Sequence, residues 1–174
     1  MTSSNDTSIF GDHLRSLESS RPHRDAEGKG DVVHNVHAGE VDGLKFINPK
    51  GLYDPRPNAY SHLAIFPAGW RMILPAGQGG ETEDGVLSED FGTQLRQALT
   101  NAATVLAAAD ATMADVAKFN LLIVDHNEEK FAVVRQEFDR VWGDRKPAWT
   151  LIPVPALALK GMLIEIDVIA VVPR

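Results

Sequence analysis

Two amphipathic helical segments, separated by a largely apolar stretch, constrain this chain more than any other feature of its sequence. The first segment follows Ser88, a predicted N-cap, and its apolar side chains recur at helical spacing to near Ala109. The second follows Asn127, another predicted N-cap, and stops at Gly143. Three apolar runs around these helices are typical of strands: residues 116–125, 149–154 and 162–171. This alternation predicts helices that pack against a sheet.

Two shorter strands are predicted ahead of the first helix. Residues 62–66 and 70–74 flank Pro67-Ala68-Gly69, a segment typical of a hairpin connection. The full order is strand, strand, helix, strand, helix, strand, strand, which favours an α/β or α+β sandwich with both helices on one face of the sheet. Apolar residues on the other face then need a cover, which an oligomer would supply.

The N-terminal segment differs in composition from the rest of the chain. It is rich in Ser, Asp, Gly and His and has few large apolar side chains. We interpret residues 1–45 as an extension or arm and residues 46–174 as the domain. Pro and Gly residues between 44 and 57 indicate loop and turns that lead into the domain.

The composition narrows the functional classes. The 174 residues suit a single domain, and a net charge of −7 works against a nucleic-acid partner. The chain has no cysteine, which excludes disulfides and thiolate sites. No apolar run reaches the roughly 18–20 residues that span a bilayer, and the first residues lack a secretory signal pattern, so we expect no membrane partner and a cytoplasmic location. His34 and His37, near Glu40, lack a predicted helix to present them to a metal, and we expect neither metal nor cofactor.

A series of short motifs then carries a resemblance. The motifs are Ala59-Tyr60-Ser61-His62, Ala76-Gly77-Gln78, residues 94–101, 114–118 and 125–127, Lys146-Pro147-Ala148-Trp149-Thr150, Lys160-Gly161 and residues 165–170. In this order they resemble the RidA/YjgF (endoribonuclease L-PSP-like) family of imine and enamine deaminases. The resemblance implies an α+β fold with a chorismate-mutase-like sheet, two helices on one face, and a homotrimer with its small-molecule ligand at the subunit interface.

The sequence departs from the family pattern at its main ligand contact. Trp149 stands where the family's Pro-Ala-Arg-Ser/Thr motif has the arginine that holds a substrate carboxylate. An indole has one N–H and no charge, so the pocket would suit a flatter, less acidic or aromatic ligand. Alternatively, Trp149 fills the emptied pocket and leaves no active site. The spacing to Glu165 is also one residue longer, between Pro153 and Leu159, which would reverse the strand faces unless a bulge absorbs it.

A cation elsewhere in the chain would restore the binding of an acid. Four basic residues are considered for this role: Arg71, Arg96, Arg145 and Lys160. The sequence does not distinguish among them. Replacing Trp149 with arginine is expected to create or enlarge activity on small 2-imino acids if the pocket is otherwise intact.

The other predicted site residues follow from the resemblance and from local chemistry. Glu165 lies inside an apolar strand, where partial desolvation would suit its carboxylate to acid/base catalysis; its alternative is a solvent-facing side chain. Tyr60 is the second predicted catalytic residue, with a packing aromatic as its alternative. Predicted substrate contacts are Trp149, Gln78, Asn127 and Thr150, although Asn127 is also explained as a helix cap.

Two functions therefore compete at the level of the sequence. The first is hydrolytic deamination of an imine or enamine with non-standard specificity, in which Glu165 and an ordered water act beside Tyr60 and Trp149. The second is a non-catalytic small-molecule-binding or regulatory trimer that lost the chemistry. In a third, structural possibility, the N-terminal arm docks across a subunit.

Overall fold

The protein is described here by a computed structural model that covers residues 42–174. These residues belong to one compact unit. Its strands are β1 (Lys45–Ile47), β2 (Leu63–Ile65), β3 (Arg71–Ile73), β4 (Gln78–Gly79), β5 (Val116–Val124), β6 (Ala148–Val154) and β7 (Ile164–Val172). Its helices are α1 (Phe91–Ala107) and α2 (Glu128–Trp142), with short 3-10 turns at Arg56–Asn58 and Met113–Asp115. The predicted arm, residues 1–45, lies almost wholly outside the described residues, as do His34 and His37.

The main sheet has five strands, and β7 lies at its centre. Along the sheet the order is β3, β7, β5, β6, while β4 also pairs with β7. β5 and β6 are parallel, and α2 connects them as the crossover helix that a parallel pair requires. β7 is antiparallel to β3, β4 and β5. β6 is therefore the edge strand on one side.

Both helices pack on one face of this sheet. Along β7 the side chains alternate, and Ile164, Ile166, Val168 and Ala170 are buried with the helices in one apolar core. The same core includes Leu95, Leu99 and Leu106 of α1, Phe119, Leu121 and Ile123 of β5, and Val134 and Phe138 of α2. The predicted fold class, α+β with two helices on one sheet face, is confirmed.

The helix ends agree with the sequence at three of four points. Asn127 caps α2, since its side-chain oxygen accepts from the Lys130 N–H at 2.9 Å, and Gly143 ends that helix with a φ of 53°. α1 stops at Ala107, within two residues of the expected end. The prediction of Ser88 as the cap of α1 was wrong. Asp90 is the N-cap, and the Ser88 hydroxyl accepts instead from the Asp90 N–H at 3.1 Å.

The predicted hairpin around Pro67-Ala68-Gly69 was also wrong. β2 pairs with β1 in a separate two-stranded sheet, and β3 pairs with β7 in the main sheet. β1 arises in the segment that was expected to contain only loop and turns. Phe66, just after β2, and Trp70, just before β3, pack together with Phe46 of β1 against a second cluster of buried residues, Leu44, Ala117 and Val171.

Among residues 42–174, this second cluster covers one end of the helix-free sheet face. Farther along the face lie Glu165 and Asp167 of β7, Asn120 and Leu122 of β5, and Thr150 and Ile152 of β6, which share a face by their pairing. Ile152 is 39% exposed, and Met72 on β3 is 52% exposed. The expected cover by further subunits stays a prediction.

The extra residue between Pro153 and Leu159 does not disturb the register of β6. Its pairing with β5 continues without a shift from Ala148 through Pro153, which pairs with Ile123, to Val154. The additional length therefore falls in the turn before β7. Of the two outcomes that the sequence left open, the strand faces of β6 are not reversed.

Candidate ligand-binding site

An aromatic pocket opens beside the edge strand β6. Its volume is about 360 Å³. Seven residues line it: Tyr53, Asn58, Tyr60, Phe131, Trp149, Thr150 and Leu151. Four of these are aromatic and none carries a charge at neutral pH, so these seven residues suit a flat ligand body and offer no cation to a carboxylate.

The indole of Trp149 is held by the core on one side of this pocket. It stacks on Phe119 with the ring centroids 5.6 Å apart and an interplanar angle of 6°. Phe119 stacks in turn on Trp142 at 5.1 Å, which gives a stack of three rings. The indole N–H donates to the Ala59 carbonyl oxygen at 2.8 Å. Trp149 therefore has no free donor for a ligand and offers only apolar ring surface.

Tyr60 forms the adjoining wall of the pocket. Its ring meets Trp149 edge-on, with centroids 6.2 Å apart and planes at 77°. Its hydroxyl shares a hydrogen bond with the hydroxyl of Tyr53. Burial, followed by this hydrogen bond, raises the pKa of Tyr60 to about 12. The phenol is therefore fully protonated at neutral pH.

Tyr53 and Phe131 are wall residues that the sequence analysis did not select. Tyr53 lies in the Pro- and Gly-rich segment that was interpreted as loop, and Phe131 was assigned to the apolar stripe of α2. Phe131 lies 6.5 Å from Trp149 between ring centroids. Its position in the first turn of α2, facing the edge strand, is the signal that would have identified it.

Glu165 lies on the helix-free face, with its carboxylate over Gly77. A Cβ atom at Gly77 would clash with the Glu165 carboxylate, so the glycine makes room for the acid. Glu165 pairs with Gly79 on one side and Leu122 on the other, and it is half-buried. The neighbouring Asp167 accepts a long hydrogen bond, 3.4 Å, from Asn120. The acid therefore sits on a partly polar surface that the helices leave open.

Within one chain, the structure brings together only some of the predicted site residues. Tyr60, Trp149 and Thr150 line one pocket. Trp149 pairs with Phe119 on the helix side of the sheet, whereas Glu165 faces the other side, two strands away. A single subunit therefore does not bring Glu165 into the aromatic pocket.

Gln78 and Asn127 also lie apart from that pocket. The Gln78 amide nitrogen donates to the carbonyl oxygens of Ala76 and Gly77 at 2.9 and 3.2 Å, close to Glu165 on β7. Asn127 lines a different cavity, at the start of both helices, and its side-chain oxygen is engaged as the cap of α2. Its prediction as a substrate contact has no support from this arrangement.

Among residues 42–174, no group of three or more His, Asp or Glu side chains is placed to hold a metal ion. None of the helices in that part of the chain is both long and apolar enough to cross a membrane.

Comparisons with known proteins identify the family. Residues 54–172 match the family model described as endoribonuclease L-PSP. The structure of YyfB from Yersinia pestis, described as a protein of unknown function of the conserved Rid family, gives a TM-score of 0.70 at 32% identity. The match covers 75% of this chain and 99% of YyfB.

Two curated relatives agree with this assignment. A 2-iminobutanoate/2-iminopropanoate deaminase of Salmonella typhimurium is 30% identical over 104 residues, 58% of this chain and 79% of the deaminase. The mitochondrial protein mmf1 of Schizosaccharomyces pombe is 32% identical over 101 residues, 57% of this chain and 61% of mmf1, so the match spans less than two thirds of that relative. From its matched residues, motif order and fold, the chain belongs to the RidA/YjgF family.

Proposed function

We propose that this protein hydrolyses an imine or enamine with a substrate preference that differs from that of deaminases acting on small 2-imino acids. The main support for the proposal is Glu165. Its carboxylate lies on the open sheet face, in space that a side chain at position 77 would occupy and that Gly77 leaves free. A Salmonella relative named as a 2-iminobutanoate/2-iminopropanoate deaminase supports the reaction class. The uncharged aromatic pocket supports the change in preference.

In the proposed reaction, Glu165 takes a proton from a water molecule while the water oxygen bonds to the imine carbon. The carbinolamine that results carries the former imine nitrogen as an amine. Glu165 returns this first proton to the nitrogen to give that amine. It then moves the proton of the carbinolamine hydroxyl to the amine as the C–N bond breaks and the C=O bond forms, so that ammonia and a carbonyl product leave. The Tyr60 hydroxyl, which keeps its proton, donates a hydrogen bond to the ligand.

The proposed site takes its parts from two subunits. Tyr60 and Trp149 lie at the edge strand β6, whereas Glu165 lies on the helix-free face two strands away. That face exposes apolar side chains, including Ile152, that a neighbouring subunit would bury. A homotrimer, the assembly implied by the family resemblance, would bring the edge of one subunit to the open face of the next.

The proposed ligand has a flat, apolar body. Trp149 cannot replace the two parallel hydrogen bonds by which an arginine holds a carboxylate, because its single N–H already donates to Ala59. The rings of Trp149, Tyr53, Tyr60 and Phe131 line the pocket and provide apolar surface for a flat ligand. We therefore expect imines derived from aromatic or bulky amino acids to be better substrates than the smallest 2-imino acids.

The test is a turnover assay on imines generated in situ by an amino-acid oxidase from a panel of small and aromatic amino acids. Wild-type protein is expected to accelerate imine loss, most for aromatic members. Glu165→Gln should lower kcat/KM by about 10²-fold or more, which is the usual loss when an acid/base group is removed. The matched control is Glu83→Gln, a glutamate in an exposed turn. No acceleration, or equal activity in Glu165→Gln, would refute the proposal.

A second candidate function is a non-catalytic ligand-binding trimer. The engagement of Trp149 by Phe119 and Ala59 favours it, because this side chain is bound into the core. Stabilisation of the protein by an aromatic ligand, without turnover of any imine, would support this alternative. Although the family description names an endoribonuclease, the chain's net charge of −7 argues against a nucleic-acid substrate. The cytoplasmic location stays a prediction.

A further inference from the structure

A second, larger cleft adjoins the aromatic pocket. Its volume is about 730 Å³, and it lies between β1, the turn at Arg56–Asn58 and the loop that joins α2 to β6. Its lining includes four cationic side chains, Lys45, Arg56, Arg145 and Lys146, and one acidic side chain, Asp144. The charge of this cleft is therefore opposite to the net charge of the chain.

Three of these cations already have carboxylate partners. Lys45 pairs with Asp42 at 2.8 Å, Arg56 with Asp54 at 2.7 Å and Lys146 with Asp139 at 2.6 Å. Each of these carboxylates is substantially exposed, which weakens the two lysine pairs. The Arg56–Asp54 pair is stronger, because the guanidinium donates to both carboxylate oxygens and lowers the pKa of Asp54 to about 2. Lys45 and Lys146 are thus only loosely neutralised, whereas Arg56 is firmly paired.

Arg145 differs from the other three cations. In the part of the chain from 42 to 174 it forms no ion pair; its guanidinium donates to the carbonyl oxygens of Leu44 at 2.9 Å and Ala114 at 3.3 Å. The guanidinium also lies 5.5 Å from the centre of the Phe46 ring. These neutral contacts hold the group in position without cancelling its charge, which is the state required for binding an anion.

The structure also distinguishes Arg145 from the other three basic residues that the sequence offered as partners for an acidic ligand. Arg71 donates to the carbonyl oxygen of Ala109, and Arg96 pairs with Glu137 at 3.0 Å. Neither lines the basic cleft or the aromatic pocket. Lys160 is exposed in the turn before β7 and lines neither cavity.

Tyr60 lines both cavities, so the two adjoin at this residue. We infer that the basic cleft binds the carboxylate of a ligand whose flat body lies in the aromatic pocket, with Arg145 as its principal cation. The acidic group is thereby bound in the adjoining cleft instead of at position 149. This inference rests on the proposed function only in taking the aromatic pocket as the place of the ligand body.

The experiment compares acids with their uncharged amides in direct binding, without turnover. Phenylacetate, 3-phenylpropionate and 4-phenylbutyrate, each beside its primary amide, are titrated into the full-length protein by calorimetry. At least one acid should bind about fivefold or more tightly than its amide, and added salt should reduce that preference, as for an exposed ion pair. If no acid binds better than its amide, or if nothing binds, the inference is wrong.

Matched arginine variants identify the cation. Arg145→Gln removes the charge but keeps an amide that can donate to the Leu44 carbonyl, and it should abolish the preference for the acid while leaving amide binding unchanged. Arg71→Gln, which alters another arginine bound to a backbone carbonyl, should keep the preference. Arg145→Lys should retain part of it. Equal weakening of acid and amide in Arg145→Gln would overturn the assignment.

Failure of this inference can be told apart from failure of the proposed function. The binding titration does not involve Glu165. The imine assay compares Glu165→Gln with wild-type protein on the same carboxylate-bearing substrate, so its outcome does not depend on whether Arg145 contacts that carboxylate. An enzyme that hydrolyses imines but binds acids and amides equally would refute only the anion subsite. A protein that prefers the acids without any turnover would refute only the hydrolase.

Discussion

Trp149 shows how one side chain can alter a site without altering the fold. Its ring extends the stack of Trp142 and Phe119, and its N–H satisfies the Ala59 carbonyl oxygen. Arginine at this position would remove both contacts and bring a charge beside three phenylalanines, Phe119, Phe131 and Phe138. The gain of activity expected from Trp149→Arg therefore requires rearrangement of the pocket.

Gly77 offers a direct test of the position of Glu165. Gly77→Ala should displace the Glu165 carboxylate, because the new Cβ would occupy its space. The end of a glutamate side chain can move at little cost in stability, so we expect kcat/KM to fall about tenfold or more while the melting temperature changes little. Steady-state kinetics and thermal unfolding of the same preparation check this.

Gly80→Ala is the contrasting variant. Its Cβ would lie 2.6 Å from the Gln94 Cα, and a backbone atom in α1 cannot move as a side-chain end can. Overpacking of this kind usually costs about 1–3 kcal/mol. A Gly77→Ala protein that is as unstable as Gly80→Ala, or as active as wild type, would contradict the placement of Glu165.

At the scale of helices and strands, the sequence predicted the long elements and not the pairing of the short ones. Three local signals predict α2: the N-cap Asn127, the apolar stripe and Gly143 at the end. β1 and β2 are three residues each, and their pairing depends on aromatic residues that pack on Ala117 and Val171, far along the chain. Local periodicity does not carry that information, so the hairpin prediction failed.

Substitutions of Asn127 can distinguish its two candidate roles, the cap of α2 and a substrate contact. Asn127→Ala should lower the free energy of unfolding by about 1 kcal/mol, because the Lys130 N–H loses its acceptor, and kcat/KM should not change. Asn127→Asp, which keeps the acceptor, should retain the stability. Denaturant unfolding and the imine assay provide the two readouts.

Asp90→Ala, which removes the Thr93 contact that caps α1, is the control for the loss of a cap alone. An Asn127→Ala variant that loses activity well beyond Asp90→Ala would show that Asn127 contacts the substrate. Equal activity of the two variants would show that Asn127 acts as a helix cap and not as a substrate contact.

At the scale of the whole molecule, the sequence could name the predicted site residues but not which of them meet. Tyr60, Trp149 and Thr150 converge because β6 and the segment before β2 are adjacent. Glu165 faces the other side of the sheet because strand alternation puts Ile164 and Ile166 into the core. Motif spacing along a chain does not report on faces of a sheet or on neighbouring subunits.

A site shared between subunits makes a quantitative prediction about mixed oligomers. Tyr60→Phe and Glu165→Gln proteins are each expected to be impaired, since each removes one part of every site. If both are unfolded together, mixed in equal amounts and refolded, a site between neighbours draws Tyr60 from one chain and Glu165 from the next. With random assembly, about a quarter of the sites then receive both wild-type residues.

The expected result is therefore recovery of about a quarter of wild-type activity in the refolded mixture. The same two proteins, mixed after separate refolding and assayed before subunits exchange, should stay impaired. A site contained within one chain predicts no recovery under either condition, because every chain in the mixture lacks one of the two side chains. Size-exclusion chromatography with light scattering, run on each sample, establishes that the mixed species has the mass of three chains.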